Sequence, residues 1–188
     1  KLLDKDDFIF IFSKILNIIS GSFYAPKSKY VNNFFEKIKK NKVIKNTNLG
    51  GCHIIFFKKK LIVCREIFKR NRKQEMNFYF NRIIWDNRFE IKYRKNKNIF
   101  LKKVLGKSVF IEQLQKNGWK EILLKNQTLK KKIKITNNII LTLPALKNKE
   151  NDVLYVPHLK YYSNLKSKKD FSNMNFFFKP DMKQSNIY

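Results

Sequence analysis

The sequence predicts an α+β protein, in which an N-terminal helical hairpin precedes a small mixed domain of antiparallel β-hairpins and short helices. Apolar residues recur with helical spacing in the first part of the chain, and short β-favouring runs separated by basic or polar turns follow from Val43 to Tyr93. The second half mixes both patterns. We therefore expect a helical hairpin at 1–42, a mixed domain at 43–162 and a polar, flexible tail at 163–188.

The first helix is predicted at residues 6–20. Asp4, Asp6 and Asp7 lie at its start, where the partial positive charge of a helix N-terminus favours carboxylates. Gly21 follows it, where a left-handed C-terminal cap is common. The segment FIFIFSKILNII is apolar almost all round, which predicts that this helix is mostly buried.

The second helix is predicted at about residues 29–40, after a turn that contains Pro26. Ser28 stands immediately before it, where a side chain that caps the helix is expected. An apolar stripe with helical spacing indicates the face that packs against the first helix; its members are Tyr30, Val31, Phe34, Phe35 and Ile38.

A first β-hairpin is predicted from the segment that contains both cysteines. The run IIFF (54–57) is expected to pair with LIVC (61–64) across the three lysines between them. A three-residue turn there would place Cys64 opposite Ile54 and diagonal to Cys52. Because diagonal neighbours across two strands lie roughly 7 Å apart, a disulfide is not expected and both cysteines are predicted to fill the core.

A second hairpin is predicted from RIIW (82–85) and RFEIKY (88–93), which are joined by Asp86 and Asn87. The intervening segment KRNRKQEMN (69–77) is expected to be a charged loop. The first hairpin therefore has basic residues at its turn, and the second has them at the ends of its strands.

The second half is predicted to begin with a short helix in SVFIEQLQKNGW (108–119). Ser108 would cap it, Glu112 would lie in its first turn and Gly118 would end it. Further on, VLYV (153–156) is predicted to be a strand that stops at Pro157.

The charge balance points to a polyanionic partner. The chain has 42 Lys and Arg against 14 Asp and Glu, a net charge of +28 at pH 7. Such an excess attracts nucleic acid first, and anionic membrane surfaces or acidic proteins second. An AT-rich genome also favours Lys, Asn, Ile and Phe together, so part of the charge can come from codon composition.

The cysteine content and the hydropathy of the sequence indicate the cellular compartment of the protein. Two cysteines in 188 residues, with no signal-peptide pattern at the start, predict a reducing compartment. The most apolar segment, 8–19, is interrupted by Ser13 and Lys14 and is shorter than the about 20 residues needed to cross a bilayer. We therefore expect a cytoplasmic protein. The chain opens on Lys1 without an initiator Met, which predicts a fragment of a longer protein.

No catalytic residue is predicted on this chain. Cys52, His53, Cys64 and His158 are not spaced as the close ligand pairs of structural zinc sites, so no metal is expected. Cys52 and His53 are adjacent on a strand, where their side chains point to opposite faces and cannot form a dyad. His158 is a candidate functional histidine, although a structural role is favoured. Glycine-rich phosphate loops such as GxxxxGK[ST] and GxGxxG are missing from the sequence.

Nucleic-acid binding fits the sequence better than catalysis does. Lysines and arginines near strand ends and turns can hold phosphates, and aromatics such as Trp85 or Tyr93 can stack on exposed bases. The alternative is a solvated basic face over an aromatic core. The basic residues concerned are Lys58, Lys59, Lys60, Arg65, Arg82, Arg88, Lys92 and Arg94.

Three segments stand in an order that also occurs in a known family: LGGCHIIFFKKKLIVCRE (49–66), WDNRFEI (85–91) and LPALKNKENDVLYVPHLKYY (143–162). Together they resemble the C-terminal region of bacterial tRNA(Ile)-lysidine synthase, in which a GG-C hairpin ending in CRE, a W-D-G-RF strand and an LPAL…VPHL-Y segment follow one another. The helix pair with YAPKSKYVNNFFEKIK is similar to the region before that hairpin. Asn87 departs from the family's Gly, and Lys147 from its usual aromatic.

The resemblance implies a part of an ATP-dependent carbon–nitrogen ligase, which adenylates the wobble cytidine of the CAU-anticodon isoleucine tRNA and joins lysine to it. That chemistry belongs to an N-terminal domain with an SGG-x-DS phosphate loop. ATP, Mg and L-lysine are therefore expected there, and the full enzyme is expected to bind tRNA(Ile). Whether the full enzyme forms a homodimer is left open by the sequence. For this chain the resemblance implies that the helical hairpin and the mixed domain hold tRNA. The expected contact residues are Lys58, Lys59, Lys60, Arg65, Arg88 and Lys160.

Two other functions remain open from the sequence. A stand-alone basic RNA-binding or ribosome-associated protein would have the same charge and size. A membrane-surface protein could use residues 8–19 as an anchor, but an interfacial helix needs a charged face that this segment lacks.

Overall fold

The computed structural model describes residues 4–40, 46–57, 60–68, 72–76, 82–93, 108–133 and 135–180. The predicted α+β class is confirmed, since N-terminal helices are followed by antiparallel hairpins. In chain order the described elements are α1 (Lys5–Ser20), α2 (Ser28–Lys39), β1 (Thr47–Leu49), β2 (Cys52–Phe57), β3 (Lys60–Arg65), β4 (Gln74–Glu75), β5 (Arg82–Trp85), β6 (Phe89–Tyr93), β7 (Phe110–Gln113), α3 (Gln115–Lys125), α4 (Leu129–Lys132), α5 (Asn137–Leu141), β8 (Pro144–Lys147), β9 (Val153–Val156), a 3-10 helix (Pro157–Leu159), β10 (Tyr161–Tyr162), α6 (Leu165–Phe171) and β11 (Met174–Phe178).

The chain forms two compact units with bounds that differ from the predicted domains. Unit 1 contains Lys1–Glu66, Asp86–Arg88 and Lys179–Tyr188, and unit 2 contains Ile67–Trp85 and Phe89–Phe178. The first β-hairpin therefore belongs with the helical hairpin rather than with the mixed domain. Unit 1 also includes the turn between β5 and β6.

The predicted Gly21 cap of α1 is confirmed, and the helix begins at Lys5, one residue before the predicted start. The Asp4 carboxylate accepts hydrogen bonds from the backbone N–H groups of Asp6 and Asp7, at 2.8 and 3.1 Å. Gly21 has a left-handed backbone with φ of 62°, and its N–H donates to the carbonyl of Asn17. Both caps provide hydrogen-bond partners for backbone groups that have no partner within the helix.

The predicted burial of α1 is wrong. Only one stripe of the helix is covered, and it includes Phe12 at 4% exposure and Leu16 at 0%. Phe10, Ile11 and Ile15 on the other side are 53%, 43% and 39% exposed. The helix packs against α2 and the first hairpin along that one stripe, so its apolar opposite face has no covering element among the described residues.

The start of α2 differs by one residue from the prediction. Ser28 is its first helical residue, and Lys27 occupies the N-cap position without a side-chain hydrogen bond. The predicted Ser28 cap is therefore wrong. Val31, Phe34 and Phe35 are buried as the apolar stripe predicts, but Tyr30 is 54% exposed.

The first hairpin joins β1 in a three-stranded sheet with the order β1–β2–β3. Phe57 pairs with Lys60, so the register is shifted by one residue from the predicted one. Cys64 lies opposite His53 instead of Ile54, and Cys52 lies opposite Arg65. Because neighbouring positions on a strand face opposite sides, the two cysteines lie on different faces of this hairpin.

One sheet of unit 2 has the strand order β11–β6–β5 and is antiparallel throughout. The predicted pairing of 82–85 with 88–93 is correct except at Arg88, which lies in the turn because Trp85 pairs with Phe89. β11 pairs with β6 from Met174 to Phe178. The expectation of a flexible tail from 163 therefore fails for the described part, where α6 and β11 contribute to the core; residues 181–188 lie outside the described residues.

The other sheet of unit 2 has the strand order β10–β9–β8–β7–β4. The predicted end of the strand at Pro157 is correct. The helix predicted at 108–119 is wrong: Phe110–Gln113 form β7, and the helix begins only at Gln115. β7 pairs with β4 on one side and β8 on the other, and β4 itself lies in the predicted loop 69–77.

A buried ion pair crosses this sheet. The Lys147 Nζ atom lies 2.7 Å from the Glu112 Oε1 atom, and the two side chains are 5% and 3% exposed. Lys147 also donates to the carbonyl of Leu114 at 3.2 Å. The charges therefore neutralise each other where neither is hydrated, and removing one would leave the other buried alone.

Candidate nucleic-acid interface

A single carboxylate in unit 1 binds two of the arginines predicted to contact RNA. Arg65 donates from Nε to Asp86 Oδ2 and from Nη2 to Oδ1, each at 3.2 Å. Arg88 donates from Nε to Asp86 Oδ2 at 2.8 Å, and its Nη2 atom lies 2.6 Å from the same oxygen. Arg65 and Arg88 are thus brought together by Asp86.

The backbone around this carboxylate is shaped by residues with positive φ. Asp86 and Asn87 both have φ of 52°, a conformation that Asp and Asn tolerate better than other side chains do. Asn87 donates from Nδ2 to the carbonyl of Gly21 at 3.1 Å. A Cβ atom on Gly21 would lie 2.3 Å from the Asp86 carbonyl oxygen, so this close approach requires glycine.

Gly51 fixes the other side of the cluster. Its carbonyl accepts a hydrogen bond from Arg65 Nη1 at 2.7 Å, and a Cβ atom on it would lie 2.8 Å from that nitrogen. Its φ of 74° lies in the left-handed region that favours glycine. The double glycine before β2 therefore lets the backbone approach the guanidinium closely.

The cluster of Arg65, Asp86 and Arg88 is almost completely shielded from solvent. The side chains of Arg65, Asp86 and Arg88 are 10%, 5% and 6% exposed. Burial lowers the pKa of Arg88, and the nearby Asp86 carboxylate opposes that change. The prediction that Arg65 and Arg88 present their charge to RNA does not agree with this burial, because both guanidiniums are already bound inside unit 1.

Both cysteines are buried, free thiols, as predicted. Cys52 is 0% exposed, and its thiol donates to the carbonyl of Leu16 at 3.4 Å. Burial raises the pKa of Cys52 to about 12, while Arg65 and Arg88 partly oppose the rise. Burial also raises the pKa of Cys64. The two thiols are therefore protonated packing groups at neutral pH.

Two of the predicted contact lysines are exposed. Lys60 opens β3 in unit 1, and Lys160 follows the 3-10 helix of unit 2 with a left-handed backbone at φ of 49°. Lys58 and Lys59 lie outside the described residues. The exposed lysines are therefore the part of the predicted interface that is open to a polyanion.

Neither aromatic residue predicted to stack on bases is available for stacking. Trp85 is 2% and Tyr93 5% exposed, and burial raises the pKa of Tyr93 to about 12. His158 is exposed, and its ring makes an edge contact with Phe89 at 5.5 Å between ring centroids.

Sequence reasoning missed two features. Asp86 was expected only as a turn residue, although a carboxylate two positions before Arg88 is a signal for an ion pair. Phe177 was expected in a flexible tail, but it lies on β11 with its side chain 47% exposed. The run of aromatic residues at 176–178, which favours a strand, is the sequence signal that could have indicated it.

The described ranges contain no group of three His, Cys, Asp or Glu side chains suited to hold a metal ion. Among the same residues, every helix is too short or too polar to cross a membrane. Comparison with models of protein families, with curated proteins and with solved structures finds no match for this chain.

Proposed function

We propose that this chain is the C-terminal tRNA-recognition part of a tRNA(Ile)-lysidine synthase and acts in the cytoplasm. In this proposal the chain holds the CAU-anticodon isoleucine tRNA through its phosphates and shape. A separate domain uses ATP with Mg to adenylate the wobble cytidine and joins L-lysine to it. The contribution of this chain is binding energy and orientation rather than a reacting group.

The observation that carries the proposal is the contact between two of the three segments that resemble the family, 49–66 and 85–91. Gly51 and Arg65 come from LGGCHIIFFKKKLIVCRE, and Asp86 and Arg88 come from WDNRFEI. Arg65 and Asp86 are 21 residues apart in the chain. These residues of the two segments form one buried hydrogen-bonded cluster. A shared structural role gives a physical reason for these residue types to occur together in this order.

The two departures from the family's pattern also have local explanations. Asn87 stands where the family favours Gly, and it adopts the left-handed backbone at φ of 52° that Gly would adopt. Lys147 stands where an aromatic residue is common, and it is neutralised by the buried carboxylate of Glu112. Both substitutions are therefore compatible with the same fold.

Electrostatics supports RNA as the partner. The net charge of +28 creates a positive field. Exposed lysines such as Lys60 and Lys160 can bind phosphates and release the counterions that surround the RNA. Binding of this kind weakens steeply with salt. A contact with about six phosphates predicts roughly a thousandfold loss of affinity between about 50 and 200 mM salt.

Binding to purified transcripts tests the proposal. The chain is titrated with labelled tRNA(Ile) carrying the CAU anticodon and, in parallel, with a methionine tRNA that has the same anticodon, at several salt concentrations. The expected result is tighter binding of tRNA(Ile) and a steep salt slope. Equal binding of both tRNAs would favour a stand-alone basic RNA-binding or ribosome-associated protein, and no salt-dependent binding would refute an RNA function.

Charge-reversal variants locate the contact. Lys60→Glu and Lys160→Glu are each expected to weaken tRNA binding and to reduce the salt slope by about one unit. Lys120→Glu is the matched control, because Lys120 is an exposed lysine on α3 with the same charge change. An equal effect of all three variants would mean that only the net charge matters.

The genome gives a separate test. The reading frame upstream of the codon for Lys1 is expected to encode an SGG-x-DS loop after a strand, as the phosphate site of the ligase requires. A start codon with no coding sequence before it would contradict the proposed family.

A further inference from the structure

The sheet β11–β6–β5 has two different faces. Residues opposite each other in an antiparallel sheet point to the same side, and the side alternates along each strand. The register aligns Arg82 with Lys92 and Asn175 in one row, and Ile84 with Glu90 and Phe177 in the next. We call these six residues the outer face.

The opposite face contributes to the core of unit 2 except at its end, where Phe178 is 48% exposed. Ile83, Trp85, Ile91 and Met174 on that side are at most 8% exposed. On the outer face the Ile84 and Phe177 side chains are 39% and 47% exposed. The outer face therefore presents an aromatic ring from β11 and an aliphatic side chain from β5 to solvent, on either side of β6.

Two cations flank these apolar groups. The side chains of Arg82 and Lys92 are 57% and 53% exposed, and both pair with the Glu90 carboxylate, whose side chain is 5% exposed. The Lys92 Nζ atom lies 3.5 Å from Glu90 Oε2 and 5.7 Å from the centroid of the Phe177 ring. The buried carboxylate positions both cations, and the three charges leave the outer face with a net positive charge.

We propose that the outer face binds an unpaired nucleotide of RNA, with the base stacked on Phe177 and the neighbouring phosphates held by Arg82 and Lys92. The inference rests on the proposed function, in which this chain binds RNA. It adds a site for single-stranded RNA on unit 2, formed by residues other than Lys60 and Lys160.

Charge and shape favour this occupant over an apolar protein surface. The exposed apolar groups of this face are two side chains, Ile84 and Phe177, with a cation on the row beside them. A planar base needs one ring to stack on and positive charge for its phosphates, and every base has a π-face, so such binding tolerates different sequences. Arg82 and Lys92 are complementary to phosphate in charge.

The test measures binding of the full chain to three probes by fluorescence anisotropy. The probes are a single-stranded RNA of about ten nucleotides, a blunt RNA duplex and polyphosphate, which has the charge without bases. Phe177→Ala is expected to weaken single-strand binding about 5- to 150-fold, which corresponds to the about 1–3 kcal/mol lost with one base–aromatic stack. Binding of duplex and polyphosphate is expected to stay within about twofold of the parent.

Phe10→Ala is a matched control. Phe10 is 53% exposed in unit 1, and the Lys14 Nζ atom lies 4.9 Å from its ring centroid, an environment close to that of Phe177. This variant is expected to bind all three probes like the parent. Phe177→Leu keeps an apolar side chain without a π-face, and it is expected to behave like Phe177→Ala.

Phe177→Trp gives a readout that does not depend on a loss of affinity. The new indole is expected to be quenched when single-stranded RNA is added, and much less by polyphosphate. Single-strand affinity equal to the parent in Phe177→Ala, or no quenching in Phe177→Trp, would overturn the inference while tRNA binding by the parent remained. If the parent itself binds none of the RNAs, the proposed function fails and the inference fails with it.

Discussion

The Asp86 carboxylate is expected to be important for the stability of unit 1, because it neutralises two buried guanidiniums. Removing one partner of a buried ion pair costs about 3–5 kcal/mol, mainly because the other charge is left without a partner. The side chains of Arg65 and Arg88 are 10% and 6% exposed, so water cannot replace the carboxylate. We therefore expect Asp86→Ala to lose about 3–5 kcal/mol of unfolding free energy.

Asp86→Asn separates charge from shape. The amide keeps one oxygen that accepts a hydrogen bond from a guanidinium, so this variant is expected to lose less, about 2–3 kcal/mol. In urea, with a slope near 2 kcal/mol per M, the midpoint for Asp86→Ala should fall by about 1.5–2.5 M. Far-UV circular dichroism follows the transition, because the helices and strands of unit 1 report on its unfolding.

Glu150→Gln is the control for Asp86→Ala. Glu150 is exposed, and its substitution removes one negative charge where water already solvates it, so a change below about 0.5 kcal/mol is expected. A double variant in which Arg65→Met accompanies Asp86→Ala should lose less than the sum of the two single variants. If Asp86→Ala shifted the urea midpoint by no more than Glu150→Gln does, the reasoning from buried charge would be refuted.

Three further predictions concern buried groups elsewhere. Because burial raises the pKa of Cys52 to about 12, we expect Ellman's reagent at pH 8 to label Cys52 and Cys64 at least about a hundred times faster in urea than in the native protein. Lys147→Met should cost about 3–5 kcal/mol in urea unfolding, and adding Glu112→Leu should recover most of it. Burial raises the pKa of the Asp170 carboxyl above 3.8, so the folded state binds its proton more tightly than the unfolded state does. The folded state therefore loses stability as pH rises and this carboxyl ionises. Asp170→Asn should raise the urea midpoint at pH 7 and leave it unchanged near pH 3.

For each of these predictions, one experimental result would contradict the reasoning. Native thiols that react as fast as unfolded ones would contradict the burial of the cysteines. A double variant at Glu112 and Lys147 less stable than Lys147→Met alone would mean that the carboxylate does more than balance the lysine. A midpoint at pH 7 that Asp170→Asn leaves unchanged would mean that the Asp170 carboxylate carries no desolvation cost.

Local signals predicted the local parts of this fold. The Asp4 cap and the Gly21 cap depend on residues within one turn of the helix end, so their geometry follows from a short stretch of sequence. The segment around Glu112 shows the limit of such signals. It has cap-like residues at helical spacing, yet Phe110–Gln113 form a strand because β4 and β8 pair with it from both sides.

The candidate site was predictable only in its residue types. The sequence indicated basic residues at hairpin ends, but it could not show that Arg65 meets a carboxylate 21 residues later, because that contact depends on how two hairpins pack. Burial then separates structural arginines from exposed lysines such as Lys60. The outer face was missed for a related reason: the strand that carries Phe177 pairs with Phe89–Tyr93, far earlier in the chain.

Unit 1 includes Asp86–Arg88, which follow a segment of unit 2 in the chain. Because unit 1 takes residues from both sides of a long segment of unit 2, one cut in the chain cannot separate the two units. A truncation after Glu66 would keep α1, α2 and the first hairpin but would leave the Arg65 guanidinium without its carboxylate. Recombination that exchanges either unit as a contiguous block would therefore break a buried charge cluster, so the two units are expected to be inherited together.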